Sequence, residues 1–470
     1  MPVTTIHPEY LEALPRVQLV RDFAQGDFAV KGKTTDYLPP FVPATLNNNQ
    51  RYAQYLLRAY VLGLTGRTKE SLVGMIFRKP AEHVIPPVMQ PLIENIDGAG
   101  QSIEQLAKMV VGELLEAGRY ALLVDYPAAP DGIDSETEAR LGLRPVVSGY
   151  AFEALINWRH EVINGARKLV LAVLKEEKDA AEDEFGHETE TVYRVLRLRD
   201  GVYTQQMYDA DDKPITDEYA PRMSGGASFD HIPLHIIGSQ NNLPDVDVAP
   251  LYQLAVLNRA HYQTTADHRE NLFIHGQLTL GVSSELTWEE FAAANPDGVQ
   301  VGARTGHFLG KGGTFSSVTA PESSSLRVAL QDLEAQAVSI GAQLITRGGQ
   351  AETAEAARLN AGAEASALDT LTNNCSEGIE AALEDVARFI GADPDAIEYT
   401  LNTSFWEAQL DSQSLLAVMA AKQQGLIATS DALTMIRQGR IQLAPDRSNE
   451  IIMEELANEY FEDEPIELAQ

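Results

Sequence analysis

The chain has 470 residues, of which 44% are hydrophobic and 22% charged; this excludes a wholly disordered protein and predicts two to four subdomains. Against 68 Asp and Glu stand 36 Lys and Arg, a formal net charge of −32, which argues against a protein that grips nucleic acid through a broad basic surface. The charge remains compatible with a protein that surrounds DNA without gripping it.

The cysteine count and the N-terminus bear on the compartment. Cys375 is the single cysteine, so folding in a reducing compartment is expected, and its place on an apolar helical stretch predicts a small core residue. The start MPVTTIHPEY lacks the pattern of a signal peptide, and no stretch reaches the ~18 apolar residues of a membrane helix. The sequence predicts a soluble protein made in the cytoplasm, without a membrane partner.

The N-terminal part predicts mainly helices. Residues 1–50 are rich in proline and predict a short helix followed by an extended arm that packs on another part of the protein. Apolar spacing predicts helices at 51–63 and 68–77. The segment Ser102–Gln105 has the form of a capping box, so a further helix should begin there and end at Gly118.

An apolar run from Tyr120 to Asp125 predicts a buried strand that ends in a carboxylate. Strand ends often carry chemistry, so Asp125 could be an acid or a metal ligand. Because no second carboxylate, histidine or glycine-rich loop lies nearby in sequence, a structural aspartate is the favoured interpretation.

The following section predicts β-structure. Strands are expected at 168–174, 191–198 and 201–208, and the last two should form a hairpin through a turn at Asp200–Gly201. The strongly acidic stretch Glu176–Glu190 predicts a solvated loop between the first two of these strands.

Helical periodicity returns at 249–275. His261, His268 and His275 recur there at seven-residue steps. Seven residues correspond to a rise of about 10 Å, too far for one metal ion, so a polar stripe is the favoured interpretation.

Residues 276–322 predict a compact insertion. A strand is expected at 277–282, and a capping box at Thr287–Glu290 should open a short helix that ends at Ala294. Short strands with glycine breaks should follow at 299–320.

Two long helices, at 323–346 and 351–391, are separated by a break that contains Gly348 and Gly349. One face of the second helix is small or apolar, and it includes Leu371, Cys375, Ile379, Ala382 and Val386. Acidic residues cover its other faces, among them Glu377, Glu380, Glu384 and Asp385. Such a helix depends on packing for its stability. It is either a long helix inside a globular protein or a helix stacked beside copies of itself in a ring.

Five sequence blocks occur in a characteristic order. They are Val73–Pro80, Glu116–Pro127, Ile156–Arg159, Pro250–Asn258 and Glu352–Ala354. Together, across roughly residues 50–400, they resemble the portal proteins of tailed bacteriophages, the head-to-tail connectors, and specifically a phage family long filed as an uncharacterised portal-like domain.

The resemblance implies an α+β, portal-like fold with a mixed α/β wing, a helical stem, a small α/β clip insertion, a long wing helix and a helical C-terminal crown. The implied segments are the wing at 1–248, stem helix 1 at 249–275, the clip at 276–322, stem helix 2 at 323–345, the tunnel loop at 346–350, the long helix with its return to the wing at 351–409, and the helical crown with an acidic tail at 410–470.

The resemblance also implies a function and partners. Portal proteins form a ring, usually of twelve subunits, at one capsid vertex, and double-stranded DNA is packaged and ejected through its channel. The implied partners are further copies of the chain, DNA, terminase, a major capsid or scaffold protein and a tail adaptor protein. The implied location is the virion. No catalytic residue, metal or cofactor is implied, because ATP hydrolysis belongs to the terminase.

The resemblance places the tunnel loop against DNA. Its residues are Thr346, Arg347, Gly348, Gly349 and Gln350. Arg304, His307 and Lys311 are candidates for the clip lumen or for an adaptor contact. Arg347 could offset the acidic charge near DNA or be ordinary surface charge, and the two glycines could allow loop movement or simply stop a helix.

Three functions remain open on the sequence. The first is a portal ring. The second is another virion structural protein, such as a head–tail adaptor or a minor capsid protein. The third, the least supported, is a hydrolytic enzyme that uses Asp125, because no nucleophile–base pair or metal cluster accompanies it.

Overall fold

The computed structural model describes residues 2–40, 49–126, 144–180, 183, 185–276, 279–298, 307–318, 324–343, 367–405, 419–420, 422, 428–438 and 451–453. The chain divides into two compact units, Met1–Leu401 and Asn402–Gln470. Helices and antiparallel sheets both contribute to the first unit, so the predicted α+β class is confirmed.

The α-helices within the described ranges are α1 (Pro8–Gln25), α2 (Asp27–Gly32), α3 (Asn49–Arg58), α4 (Leu64–Ile76), α5 (Gln90–Glu94), α6 (Ile103–Ala117), α7 (Tyr252–Gly276), α8 (Trp288–Ala294), α9 (Ser324–Gln343), α10 (Ala367–Ile390) and α11 (Thr429–Gln438). Short 3-10 helices lie at Thr34–Asp36, Pro87–Met89 and Pro394–Ala396. Helix α11 belongs to the second unit, where Ala432 is buried.

The strands are β1 (Glu82–Val84), β2 (Arg119–Asp125), β3 (Val146–Tyr150), β4 (Leu155–Ile163), β5 (Ala166–Asp179), β6 (Thr189–Arg199), β7 (Val202–Tyr208), β8 (Leu234–Gly238), β9 (Thr279–Ser283), β10 (Thr314–Val318) and β11 (Glu398–Thr400). They pair in the orders β4-β5-β6-β7, β3-β2-β8, β1-β11 and β9-β10.

Helix α6 and strand β2 form the centre of the first unit. The predicted capping box is confirmed, since Ser102 accepts from Gln105 N and the Gln105 side chain accepts from Ser102 N. Gly118 ends the helix at φ +75, as predicted, and the chain turns directly into the buried strand β2. Both elements pack against α10, which closes this core from the C-terminal side.

The long hairpin β5–β6 corrects one prediction. The stretch Glu176–Glu190 was expected to be a solvated loop. The described residues between Asp179 and Thr189 are outside the strands and mostly exposed, but both ends of the stretch are strand, since β5 continues to Asp179 and pairs it with Thr189. The ladder continues because Glu176 is held by Tyr150 OH and Arg194 Nε, each at 2.6 Å, so acidic composition here does not interrupt a strand.

The turn between β6 and β7 confirms the predicted hairpin. Asp200 and Gly201 adopt φ +50 and φ +74, the conformation that suits a two-residue hairpin turn.

The N-terminal segment corrects a second prediction. A short helix and an extended arm were expected, but α1 is an 18-residue helix that contains Pro15. Its side chains Val17, Val20 and Phe23 are buried, and the helix packs against α4, α6 and α7. The proline content therefore led to an underestimate of the helix length, because burial of one apolar face outweighs the cost of a single proline.

Within the described ranges, none of the helices combines the length and the apolar composition that crossing a membrane requires.

Candidate functional site

The candidate site is built on the helix pair α7 and α9 and on the insertion that joins them. Helix α7 starts beside α4, where buried Asn258 Nδ2 donates to Thr65 Oγ1 at 3.2 Å. Helix α9 ends beside the same helix, where a Cβ added to Gly341 would lie 3.9 Å from Thr68 Cγ2. The two helices therefore run in opposite directions, and the insertion lies at the end away from α4.

His261 lies in the contact between these helices. It is 4% exposed, with Nε2 at 3.4 Å from Glu334 Oε1 on α9 and Nδ1 at 3.3 Å from Thr265 Oγ1. His261, one member of the predicted polar stripe, is therefore buried where the two helices meet.

Polar contacts fix α7 to helix α3. Tyr55 OH donates to Asp267 Oδ1 at 2.6 Å, and Arg58 Nε donates to Glu270 Oε2 at 3.0 Å. Arg58 also lies 3.9 Å above the Phe273 ring. Beyond this anchor, Leu272, Phe273 and Ile274 are exposed although they are apolar.

Only a narrow stripe of the surface of helix α9 is covered by the rest of the chain. The positions that are at least half-buried follow helical spacing, at Leu326, Ala329, Leu330, Leu333, Ala337, Ile340 and Gly341. The remaining sides are exposed, and Val338 is 73% exposed. One side of this helix is therefore packed within the chain, and its other sides face solvent.

The insertion is a strand pair with one short helix. Strands β9 and β10 pair from Thr279↔Val318 to Ser283↔Thr314. The predicted capping box of α8 is confirmed, with Thr287 as N-cap. Asn295 closes the unit, because its Nδ2 donates to Phe308 O at 2.9 Å and its Oδ1 accepts from Phe308 N at 3.1 Å.

The insertion also exposes large apolar side chains. Trp288 is 79% exposed and Phe308 62% exposed. Trp288 lies on α8, whereas Phe308 lies in the segment whose backbone Asn295 holds.

Two of the predicted site residues fall on the insertion. The ring of His307 packs edge-on against Phe315, with centroids 5.8 Å apart. Lys311 is exposed in a turn between Gly310 and Gly312, which adopt φ +73 and φ +76. The two residues thus share one short segment at the end of the helix pair.

The remaining predicted residues lie outside the described residues and stay predictions. They are Arg304, Thr346, Arg347, Gly348, Gly349 and Gln350.

Asp125 has a structural role. Its Oδ2 accepts from Arg194 Nη1 at 2.9 Å, and its Oδ1 accepts from Gln205 Nε2 at 2.9 Å and from the backbone of Tyr126. The carboxylate thereby connects β2 to the neighbouring sheet. Both of its oxygens accept hydrogen bonds within the chain.

A second polar cluster lies on α10 and was not predicted. Asp385 was grouped with the acidic residues outside the apolar face of the long helix, but unlike an exposed acidic residue its side chain is 0% exposed. Asp385 Oδ2 accepts from His231 Nε2 at 3.0 Å and from His235 Nε2 at 2.9 Å. Arg388 Nη1 donates to Asp385 Oδ1 at 2.6 Å. We refer to Asp385, His231, His235 and Arg388 as the Asp385 cluster.

The charges of the cluster explain its titration. Burial raises the pKa of Asp385, but hydrogen bonds from His231 and His235 outweigh burial and hold that pKa well below its usual value. Burial lowers the pKa of His231, but hydrogen bonds to Asp385 and Asp230 outweigh it and raise the pKa above 6.5. The hydrogen bond from His231, with a second one from Lys168, lowers the pKa of Asp230 to about 2.

One signal in the sequence could have revealed this cluster. His231 and His235 flank the apolar run Ile-Pro-Leu, and histidines beside a buried strand need an acceptor. The acceptor lies 150 residues further on in the case of His235, so spacing alone could not identify it.

Across the described residues, no group of three or more His, Cys, Asp or Glu side chains is arranged to hold a metal ion.

Comparison with known proteins gives one family match. Residues 250–390 match the model of a domain of unknown function, DUF4055. This range contains α7, the insertion, α9 and α10, and it is less than half of the chain. No curated protein is significantly similar to the chain.

Solved structures with some similarity come from gene transfer agent (GTA) particles. A chain in the neck of an empty GTA particle, computed with C6 symmetry, is 14% identical with a TM-score of 0.40, over 79% of this chain and 89% of that chain. A chain in the virion of a native GTA particle is 14% identical with a TM-score of 0.41, over 88% of this chain and 98% of that chain. A chain in the neck of a native GTA particle, computed with C12 symmetry, is 15% identical with a TM-score of 0.41, over 79% of this chain and 89% of that chain. At these TM-scores, the similarity supports no functional conclusion.

Proposed function

We propose that the chain is a portal protein, a subunit of a ring at one capsid vertex through which double-stranded DNA is packaged and ejected. The observation that carries this proposal is the oppositely directed pair α7 and α9 with a compact insertion at one end, followed by the long helix α10. In the proposal the pair is the stem, the insertion is the clip, and α10 belongs to the wing.

The sequence blocks that resemble portal proteins support the proposal because two of them meet in the core. The block Glu116–Pro127 contains the last residues of α6 and all of β2. The block Pro250–Asn258 contains the start of α7. Leu251 N of the second block donates to Leu115 O, the residue directly before the first block, at 3.2 Å. The blocks therefore mark the junction between the proposed wing and the proposed stem.

The exposed apolar side chains of the stem and clip support an assembly of copies. Val338, Trp288 and Phe308 are 73%, 79% and 62% exposed, and each lies on the helix pair or the insertion. Large apolar side chains that are exposed in the single chain are candidates for burial in an interface between copies. Neighbouring copies in a ring would remove such side chains from water.

The charge balance supports a conduit that does not retain DNA. Phosphate contacts made by Lys and Arg dominate affinity for DNA, and a subunit with a formal charge of −32 offers few of them over its whole surface. Exposed Lys311, together with Arg347 outside the described residues, would then act as a local basic contact rather than as part of a clamp.

The proposal includes a non-catalytic role. DNA movement would be driven by a separate terminase, and further proposed partners are a major capsid or scaffold protein and a tail adaptor protein. The GTA chains described above come from particle necks and a virion. Because of their low TM-scores, the proposal does not rest on them.

Mass photometry and negative-stain electron microscopy of the purified chain test the proposal. We expect rings of about twelve subunits with a central hole, because the exposed apolar stem and clip would be covered by neighbouring copies. Salt should be varied to separate specific rings from charge-driven aggregates. A protein that stays monomeric at micromolar concentration and across salt conditions would contradict the portal assignment.

A further inference from the structure

His231 occupies an unusual position between two carboxylates. Its Nδ1 lies 3.0 Å from Asp230 Oδ1, and its Nε2 lies 3.0 Å from Asp385 Oδ2. An ionised carboxylate only accepts hydrogen bonds, and a neutral imidazole has only one N–H. Both contacts can be hydrogen bonds only when His231 carries a proton on each nitrogen and is therefore a cation.

The two carboxylates belong to different parts of the fold. Asp230 precedes β8 and is held by Lys168 Nζ of β5 at 3.0 Å. Asp385 lies on α10 and is fully buried. A proton on His231 therefore joins the segment before β8 to the long helix.

Other charged groups face the same point. On the β8 side His235 Nε2 also donates to Asp385, at 2.9 Å. On α10, Arg388 Nη1 donates to Asp385 and Arg388 Nη2 donates to Glu384 at 3.0 Å. Arg388 and His235 keep Asp385 ionised when His231 changes its charge, so the event that alters the contact is the loss of the His231 proton.

Packing around His231 supports a local effect. Its ring meets Phe229 edge-on at 5.6 Å, and Phe229 lies 4.5 Å from Phe389 at the end of α10. Ser224 N also donates to Phe389 O at 3.0 Å. The segment 224–231 is thus fastened to the last turns of α10 by a few contacts, of which His231 supplies the charged one.

We propose that protonated His231 holds segment 224–231 on the end of α10, and that the segment detaches as the pH rises and His231 loses its proton. This pH-dependent contact is a property of the folded chain and is independent of ring assembly. It acts through residues that the sequence assigns to no site.

The direction of the pH dependence follows from linkage. The pKa of His231 in the folded chain is raised above the ordinary value of 6.5, so the folded chain binds this proton more tightly than the unfolded chain does. The contribution is complete below pH 6.5 and is lost as the pH rises through the folded value. Over that window the equilibrium constant for docking of segment 224–231 on the end of α10 falls by up to about tenfold per pH unit.

Hydrogen-exchange mass spectrometry of the full chain between pH 6 and pH 9 tests this proposal. Protection factors of segments 224–231 and 385–390, corrected for the intrinsic exchange rate at each pH, should fall by up to about tenfold per pH unit above the ordinary histidine value. In His231→Gln the protection should be lower at pH 6 and should no longer vary with pH.

Two further variants make the test decisive. Asp230→Asn removes the exposed carboxylate and leaves the buried one, so protection should be lost at a lower pH than in the unaltered chain. His187→Gln changes an exposed histidine outside the cluster and should leave the profile unchanged. A pH-independent profile in the unaltered chain, or an unshifted profile in Asp230→Asn, would overturn the proposal even if His231→Gln failed to fold.

Discussion

Asp385 shows how a single buried carboxylate can be maintained in the interior. It is surrounded by donors from His231, His235 and Arg388, so its charge is compensated on every side that the contacts define. Because its pKa is held below the unfolded value of 3.8, its contribution to stability is present above that pH and is lost as the pH falls through the lower folded value.

Replacing Asp385 with asparagine should be strongly destabilising. Asp385→Asn keeps the shape but replaces the anion that accepts from His231, His235 and Arg388 with a neutral amide, and a hydrogen bond to a charged group is worth about 1.5–3 kcal/mol. Urea unfolding at pH 7 measures the loss in the free energy of unfolding.

The neighbouring Glu384 provides the matched control. It also pairs with Arg388, but its side chain is 34% exposed. Glu384→Gln should therefore cost less than about 1 kcal/mol. Equal costs for the two variants would mean that the cluster does not anchor α10.

At the scale of elements, the junction from α6 to β2 depends on Gly118. Its φ of +75 is left-handed, and an added Cβ would lie 2.5 Å from Asp247 O and 3.1 Å from Ala249 N. The backbone that leads into α7 therefore passes directly over this glycine, and the close approach fixes where α7 begins relative to the core.

Gly118→Ala should destabilise the first unit by more than backbone strain alone. A left-handed non-glycine residue costs on the order of 1 kcal/mol, and the contact with Asp247 O adds a steric cost. Gly165→Ala is the matched control, because Gly165 has φ +82 but open space around its Cβ position. Thermal unfolding of both variants should show the larger loss for Gly118→Ala; equal losses would show that the backbone over Gly118 moves away easily.

Elements with local signals could be predicted from the sequence. The capping boxes at Ser102 and Thr287 and the turn at Asp200–Gly201 depend on residues within a few positions of one another. Their physics is local, so spacing alone identified the helix starts and the hairpin.

Elements that depend on distant partners could not be predicted. The strand at Glu176 is stabilised by Tyr150 and Arg194, and the burial of Asp385 depends on His231 and His235. Composition therefore suggested a loop at the first position, and at the second it only grouped Asp385 with the other acidic residues of the helix. The same limit applies to the candidate site, where His307 and Lys311 were named but the contact of His307 with Phe315 was not.

At the scale of the whole molecule, the proposed channel makes the segment between α9 and α10 the part that meets DNA. Its glycines lie outside the described residues, so their role stays a prediction. Deleting Gly348 and Gly349 should leave rings intact but reduce DNA packaging, because the shortened loop could no longer follow the moving duplex.

The packaging experiment needs a control of equal length. The double variant Gly348→Ala, Gly349→Ala keeps the loop length and reduces backbone freedom. It therefore distinguishes an effect of loop length from an effect of loop flexibility. Ring formation is measured by mass photometry and packaging by the DNA content of particles that carry each variant. Normal DNA content with the deletion would contradict the assignment of this segment to the channel.

Helix α9 has a thermodynamic consequence for the whole molecule. It has 20 residues, and its own chain covers only a narrow stripe of it. In proteins most helical stability comes from the packing of one face rather than from intrinsic propensity, and here the single chain packs only that narrow stripe. If copies supply the missing cover, dilution removes helical structure together with the contacts, and folding of this segment becomes a concentration-dependent equilibrium.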